Sequence, residues 1–138
     1  MKGKNIFIIS LLSVLITMAA GCSKSNPTVF SWDYDYMHYV ATSSSISDSS
    51  YKILAIASNS DVAINMGTKP IAGSYTVHPQ NNSGQPFLLY VQVSSYLYSQ
   101  SGTITISYSD NTKISGSFTV TFTDGSVMTG AFSDIPYQ

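Results

Sequence analysis

The densest group of chemically capable side chains in this 138-residue chain is Trp32-Asp33-Tyr34-Asp35-Tyr36-Met37-His38-Tyr39. Two carboxylates and an imidazole so close together could serve acid–base catalysis or hold a cation. In an extended strand Asp33 and Asp35 share a face with Cα atoms roughly 7 Å apart, within the roughly 5–9.5 Å over which paired carboxylates cleave glycosides. The same geometry puts His38 on the opposite face, and glycosidase acids normally project from separate elements flanking a cleft. The plain alternative is a strand or turn with Phe30, Trp32 and Tyr34 inward and the acids solvated. We prefer that alternative, and keep as its rival a hydrolase of cell-wall or dietary glycans working through Asp33, Asp35 and His38. Convergence of the three in one concave pocket would favour the rival.

Elsewhere the chemistry is sparse. The second histidine, His78, is distant from His38 and precedes Pro79 at a strand end. There is no Gly-x-Ser-x-Gly elbow, His-Glu-x-x-His helix, phosphate loop or calcium loop, so no catalytic residue, metal or cofactor is expected. Charged residues make up 9% of the chain, against roughly 25% in ordinary soluble domains. All six basic residues are Lys and all seven acidic residues are Asp. A chain without Arg and so poor in Lys lacks the footprint of a nucleic-acid binder, and one without Glu is a poor long helix or coiled coil.

The only cysteine carries a stronger signal. Lys2 and Lys4 precede an uncharged run from Ile6 to Ala20, which ends in the small residues Ala19-Ala20-Gly21 directly before Cys22. This pattern predicts a secretory signal peptide over residues 1–21, shorter in its apolar run than the ~20 residues of a spanning helix. Ala19-Ala20-Gly21-Cys22 resembles the lipobox of bacterial lipoproteins, with Ala19 where Leu is usual. The resemblance implies cleavage before Cys22, a diacylglyceryl thioether on its sulfur and often a further acyl chain on the new amino terminus. At ~0.8 kcal/mol per buried methylene, two or three acyl chains anchor a protein stably. The expected partner of Cys22 is thus the membrane, and the expected location is the cell envelope, at the outer membrane. Surface-exported lipoproteins often carry an acidic run after the cysteine; its absence favours the periplasmic face without closing the other.

Residues 22–28 read as a polar tether, since Ser23-Lys24-Ser25-Asn26-Pro27-Thr28 is short and contains a breaker. Beyond it, residues 29–138 form one domain. With Cys22 committed to lipid, no disulfide or thiolate site can support that domain, and a hydrophobic core must do so. Four lysines against seven aspartates leave the mature chain at −3.

Apolar residues in this domain recur with period two. Ile104, Ile106 and Tyr108 alternate with hydroxyls, and Ile114 to Phe122 does the same over a longer run. Such alternation puts one face on a core and one in water. A three-residue loop, Thr123-Asp124-Gly125, with Gly left-handed, sets Val120 opposite Met128, Phe118 opposite Gly130 and Gly116 opposite Phe132. Each strand glycine then lies across from a phenylalanine. A polar loop over Ser109–Lys113 joins the two preceding strands. Upstream, Tyr51–Ser58 and Val62–Met66 form a hairpin around Asn59-Ser60-Asp61, Gly73–Val77 is a short strand, and further strands lie between Val29 and Thr42. After a polar loop over Gln80–Pro86, a long strand is expected from Phe87 to Tyr98, with Phe87, Leu89, Val91 and Val93 on one face and Tyr90, Tyr96 and Tyr98 on the other. The total is about eight or nine strands in an all-β, antiparallel β-sandwich-like domain.

The chain has ten tyrosines, and they cannot all be core. Tyr90, Tyr96 and Tyr98 are the candidate ligand-binding residues, because an exposed tyrosine offers flat apolar area and a hydrogen-bonding tip to a protein or glycan. Ordinary sheet-face packing is the competing role, and a bulge near Ser94-Ser95 would turn the later tyrosines inward.

Three segments together carry a family resemblance: Ser101-Gly102-Thr103-Ile104-Thr105-Ile106, Ile114-Ser115-Gly116-Ser117-Phe118, and Gly130-Ala131-Phe132-Ser133-Asp134-Ile135-Pro136-Tyr137. The chain resembles a family of small uncharacterised lipoproteins of Bacteroidetes, which end in Gly-x-Phe-x-Asp-Ile/Leu-Pro-Tyr; Ala72-Gly73-Ser74-Tyr75 matches their Gly-Thr-Tyr strand. The resemblance implies a β-sandwich-like lipoprotein domain without an assigned activity. It is weakest at Trp32–Tyr36, which stands where an Asn-Gly or Asp-Gly turn before an aromatic is more usual. The expected function is therefore a non-enzymatic envelope lipoprotein with a structural, partner-binding or glycan-binding role.

Overall fold

A computed structural model describes residues 28–79 and 96–138, with the backbone pairing of 88–92. The expected signal peptide, Cys22, the expected tether up to Pro27, the expected Gln80–Pro86 loop, Phe87, Val93 and the Ser94-Ser95 position of the possible bulge lie outside the described residues. The described residues are all-β: β1 (Val29–Tyr34), β2 (Met37–Val40), β3 (Ser43–Ile46), β4 (Lys52–Ile56), β5 (Asp61–Asn65), β6 (Gly73–Val77), β7 (Leu88–Gln92), β8 (Tyr96–Ser109), β9 (Lys113–Phe122) and β10 (Val127–Pro136). They build two antiparallel sheets in a β-sandwich-like arrangement. One runs β2-β1-β10-β9-β8-β6 and the other β3-β4-β5-β7-β8. The long β8 belongs to both, its first residues pairing with β7 and its later ones with β6, while β9 lies along its other side. The opposite seam is closed by the C-terminus, where Tyr137 bridges Ile46 in parallel and the Gln138 N–H donates to the Ile46 carbonyl at 2.9 Å.

Alternating burial explains the strands. Phe30 and Trp32 of β1, Ile53 and Ala55 of β4, Ile104 and Ile106 of β8, and Phe118, Val120 and Phe122 of β9 enter one continuous core. Full burial of a large apolar side chain contributes about 1.5–3 kcal/mol. At its centre Phe30 stacks on Phe132 with ring centroids 5.5 Å apart and meets Trp32 edge-on at 5.8 Å. The β9–β10 register is the one expected, Val120↔Met128, Phe118↔Gly130 and Gly116↔Phe132, around Thr123-Asp124-Gly125 with Gly125 left-handed (φ 85°). The glycines are there for space. A Cβ on Gly130 would collide with the Phe118 ring, and one on Gly116 would stand 2.7 Å from Cζ of Phe132.

Bulges account for several departures from simple alternation. An extra residue in β8 between Ile106 and Tyr108 turns Tyr108 outward, so it does not join Ile104 and Ile106 in the core as expected. Another bulge follows Phe132 in β10, where Asp134 adopts φ 53° and Ile135 is thereby returned to the core. The Phe-x-Asp-Ile ending thus has a backbone reason, since aspartate tolerates the left-handed region better than most residues. The upstream hairpin turns at Ser58-Asn59, between paired Ala57 and Ser60, rather than at Asn59–Asp61.

Two expectations fail more substantially. Phe87–Tyr98 is not one strand: Tyr90 pairs with Tyr98, Val91 with Leu97 and Gln92 with Tyr96, so the chain reverses between β7 and β8. Nor is Trp32–Tyr39 one extended run, because β1 and β2 form a tight hairpin with Tyr34 opposite Met37 and Asp35-Tyr36 as its two-residue loop. Asp35 (φ 49°) and Tyr36 (φ 61°) are both left-handed. This is the backbone of a primed hairpin turn, which normally selects Asn-Gly or Asp-Gly. A side chain in this region costs roughly 1–2 kcal/mol.

Candidate functional site

The hairpins give the sandwich two unlike ends. At the entry end the chain arrives at Val29, opposite Ser133, and β8 turns into β9 through residues 110–112. At the tip end stand the β1–β2 turn and the β9–β10 turn. The start of β8 lies there too, since the Thr123 N–H donates to the Tyr98 carbonyl at 3.3 Å.

The residues singled out as a possible hydrolase come together only in part. Asp33 and His38 are direct cross-strand partners with Asp33 Oδ1 2.7 Å from His38 Nδ1, which corrects the expectation that His38 faces away. Asp35 shares no face with Asp33, because it has left the strand for the turn. Both members of the Asp33–His38 pair are well exposed, at 64% and 60%. The adjacent cleft is lined by Asp35, Tyr36, Ser126 and Val127 and by neither Asp33 nor His38. Among the described residues no group of three His, Cys, Asp or Glu is arranged to hold a metal ion.

Of the candidate tyrosines, Tyr96 is exposed and Tyr98 half-buried, their rings roughly parallel (29°) with centroids 6.5 Å apart. Tyr90 is the register partner of Tyr98 across the β7–β8 ladder. The three positions are therefore neighbours, although the single strand expected to align them does not exist.

The tip end also brings Asp35, Tyr36 and Met37 of the Asp/Tyr run beside Ser126 and Val127, which the sequence did not single out. Tyr36 is fully exposed, and Met37 and Val127 are each more than half exposed. Asp35, Tyr36, Ser126 and Val127 surround a cleft of about 320 Å³. Its far wall is fixed by Asp124, whose Oδ1 accepts from the Ser126 N–H (2.9 Å) and hydroxyl (2.5 Å). These hydrogen bonds hold the Asp124 carboxyl below the usual carboxylate range. The Ser126 hydroxyl lies 3.3 Å from that of Tyr34, which meets Phe122 edge-on and ties the wall to the core. The available signal in the sequence was a turn dipeptide lacking its usual glycine.

The entry end has a denser polar network. Lys113 Nζ lies 2.7 Å from Asp134 Oδ1 and 5.7 Å from the Tyr108 ring centroid. Tyr108 donates its hydroxyl to Asp110 Oδ2 at 2.6 Å, while Asp110 Oδ1 accepts from the backbone N–H groups of Thr112 and Lys113. The Tyr108 hydroxyl first, then those amides, push the Asp110 carboxyl far below the ordinary range. The same hydrogen bond raises the Tyr108 phenol, and Asp134 raises the Lys113 ammonium. Lys69 donates to Asn111 Oδ1 and sits 5.7 Å from the Tyr137 centroid. Lys52, the remaining lysine of the described residues, lines a shallow pocket of about 250 Å³ together with Gln138. No family model, curated protein or solved structure matches the chain, and its reading rests on the residues themselves.

Proposed function

We propose that the chain is a non-enzymatic lipoprotein of the cell envelope, anchored through acyl chains on Cys22 and presenting the sandwich to a protein or glycan partner. The observation that carries the reading is the lone cysteine set directly behind a Lys-flanked apolar run and Ala19-Ala20-Gly21. The tether from Cys22 to Thr28 can span at most about 25 Å, and it joins the domain at the entry end. The tip end, about 20 Å away along β1, carries Tyr96 and Tyr98 and is the end such an anchor would leave free. The rival hydrolase has one observation in its favour, the Asp33–His38 hydrogen bond, but that pair sits on an open sheet face.

Labelled palmitate supplied to cells should enter the wild-type protein and not Cys22→Ser; equal labelling of both would contradict the anchor. Cross-linking in intact cells then identifies the partner. Loss of that cross-link in a folded Tyr90→Ala, Tyr96→Ala, Tyr98→Ala variant would assign it to the tyrosine surface, and full retention would remove that surface from the proposal.

A further inference from the structure

The sandwich already contains an internal example of how it binds a cation. At the entry end Lys113 is held between a carboxylate, Asp134, and a tyrosine ring, Tyr108. The tip end offers the same two kinds of group, an aspartate and a tyrosine, beside one cleft. Asp35 and Tyr36 are adjacent on the β1–β2 turn, and among the described residues neither has a hydrogen-bond, ion-pair or ring partner. All three lysines of the described residues are engaged toward the entry end of the sandwich, Lys69 at Asn111, Lys113 at Asp134 and Lys52 in the pocket it shares with Gln138. Asp33, Asp35 and Asp124 leave the tip acidic, with His38 already against Asp33.

Tyr36 makes the argument specific. Its left-handed backbone is one that glycine would adopt without strain, and its side chain is fully exposed, so it contributes no packing to compensate. Tyr51 is also left-handed but packs against the core, whereas Tyr36 has no such packing, and that contrast points to a role outside the fold. The cleft beside it is lined by Asp35, Tyr36, Ser126 and Val127, so an acidic, an aromatic and an apolar residue border a volume of about 320 Å³, enough for one long side chain. We propose that this cleft receives a lysine or arginine side chain of a protein partner, its aliphatic stem against Val127 and its charge between Asp35 and the Tyr36 ring. The inference rests on the partner-binding reading but uses neither the lipid anchor nor the Tyr96–Tyr98 surface.

The test titrates full-length protein in neutral detergent with a fluorescent decapeptide of alternating Lys and Ala at low ionic strength. Saturable binding that is absent for the matching Glu/Ala peptide is expected, weakened about tenfold by Asp35→Asn and by Tyr36→Gly. Asp-Gly is the dipeptide this turn prefers, so Tyr36→Gly removes the ring without endangering the fold. No saturable binding, equal binding of the acidic peptide, or unchanged affinity in both variants would overturn the inference. So would displacement of the basic peptide by a neutral cello-oligosaccharide, which would make the cleft a sugar site. Loss of binding in Tyr96→Ala alone would also overturn it, while leaving the proposed function standing.

Discussion

The two ends of the sandwich are made of similar residues used in opposite ways. At the entry end Tyr108, Asp110, Lys113 and Asp134 interact with one another, with local backbone groups or both, and Lys69 and Tyr137 complete the network. At the tip end Asp35 and Tyr36 face outward from a strained turn beside a cleft. The lesson is that tyrosine and aspartate content alone does not mark a binding surface; what distinguishes one is whether the chain supplies the complementary groups. The entry end spends its polar side chains on holding the last strands together. The tip end places Tyr36 in a left-handed backbone with a fully exposed side chain, which adds no packing against that conformational cost.

The core beneath both ends should dominate stability. Phe132→Ala removes the ring that covers Gly116 and stacks on Phe30, and it should cost about 3–5 kcal/mol in denaturant unfolding. A cost below about 1 kcal/mol would mean that the two ends do not depend on a common centre. Gly130→Ala should cost about 1–3 kcal/mol by overpacking, because its new Cβ meets the Phe118 ring and stands 2.8 Å from the Ser31 carbonyl. Neutral behaviour at that position would contradict the register.

A smaller effect separates the ends by pH. The Asp110 carboxyl is depressed first by the Tyr108 hydroxyl and then by the Thr112 and Lys113 amides. A depressed folded-state value means that the ionised group stabilises the protein above the ordinary aspartate range, and that this contribution is lost as pH falls from that range through the lower folded-state value. Asp110→Asn should therefore flatten the acid limb of a melting-temperature profile. An unchanged acid limb would show that the network does not support the entry end.

Much of the fold was legible because alternation needs only local residues. Ile104, Ile106, Phe118 and Val120 announce their strands, and Gly116 and Gly130 opposite phenylalanines select the β9–β10 register. What escaped notice lacked a local signal. Between the antiparallel β7 and β8 the sequence reads Val93-Ser94-Ser95, with no Gly, Pro, Asn or Asp to mark a turn. Strand β3 is three serines and one isoleucine, held by pairing with β4 and by the C-terminus rather than by its own pattern. In the Asp/Tyr run after Trp32, polar and aromatic residues keep alternating straight through a turn, which hid both the Asp33–His38 pairing and the tip cleft. Tyr108 was misplaced because a bulge shifts parity without changing composition.

The central claim is that Tyr36 is retained for something outside the fold, and denaturant unfolding of Tyr36→Gly in the full chain tests it most directly. Relief of the left-handed backbone should raise the unfolding free energy by about 1 kcal/mol. A decrease of that size would show that the Tyr36 side chain supports the fold itself and would contradict the claim.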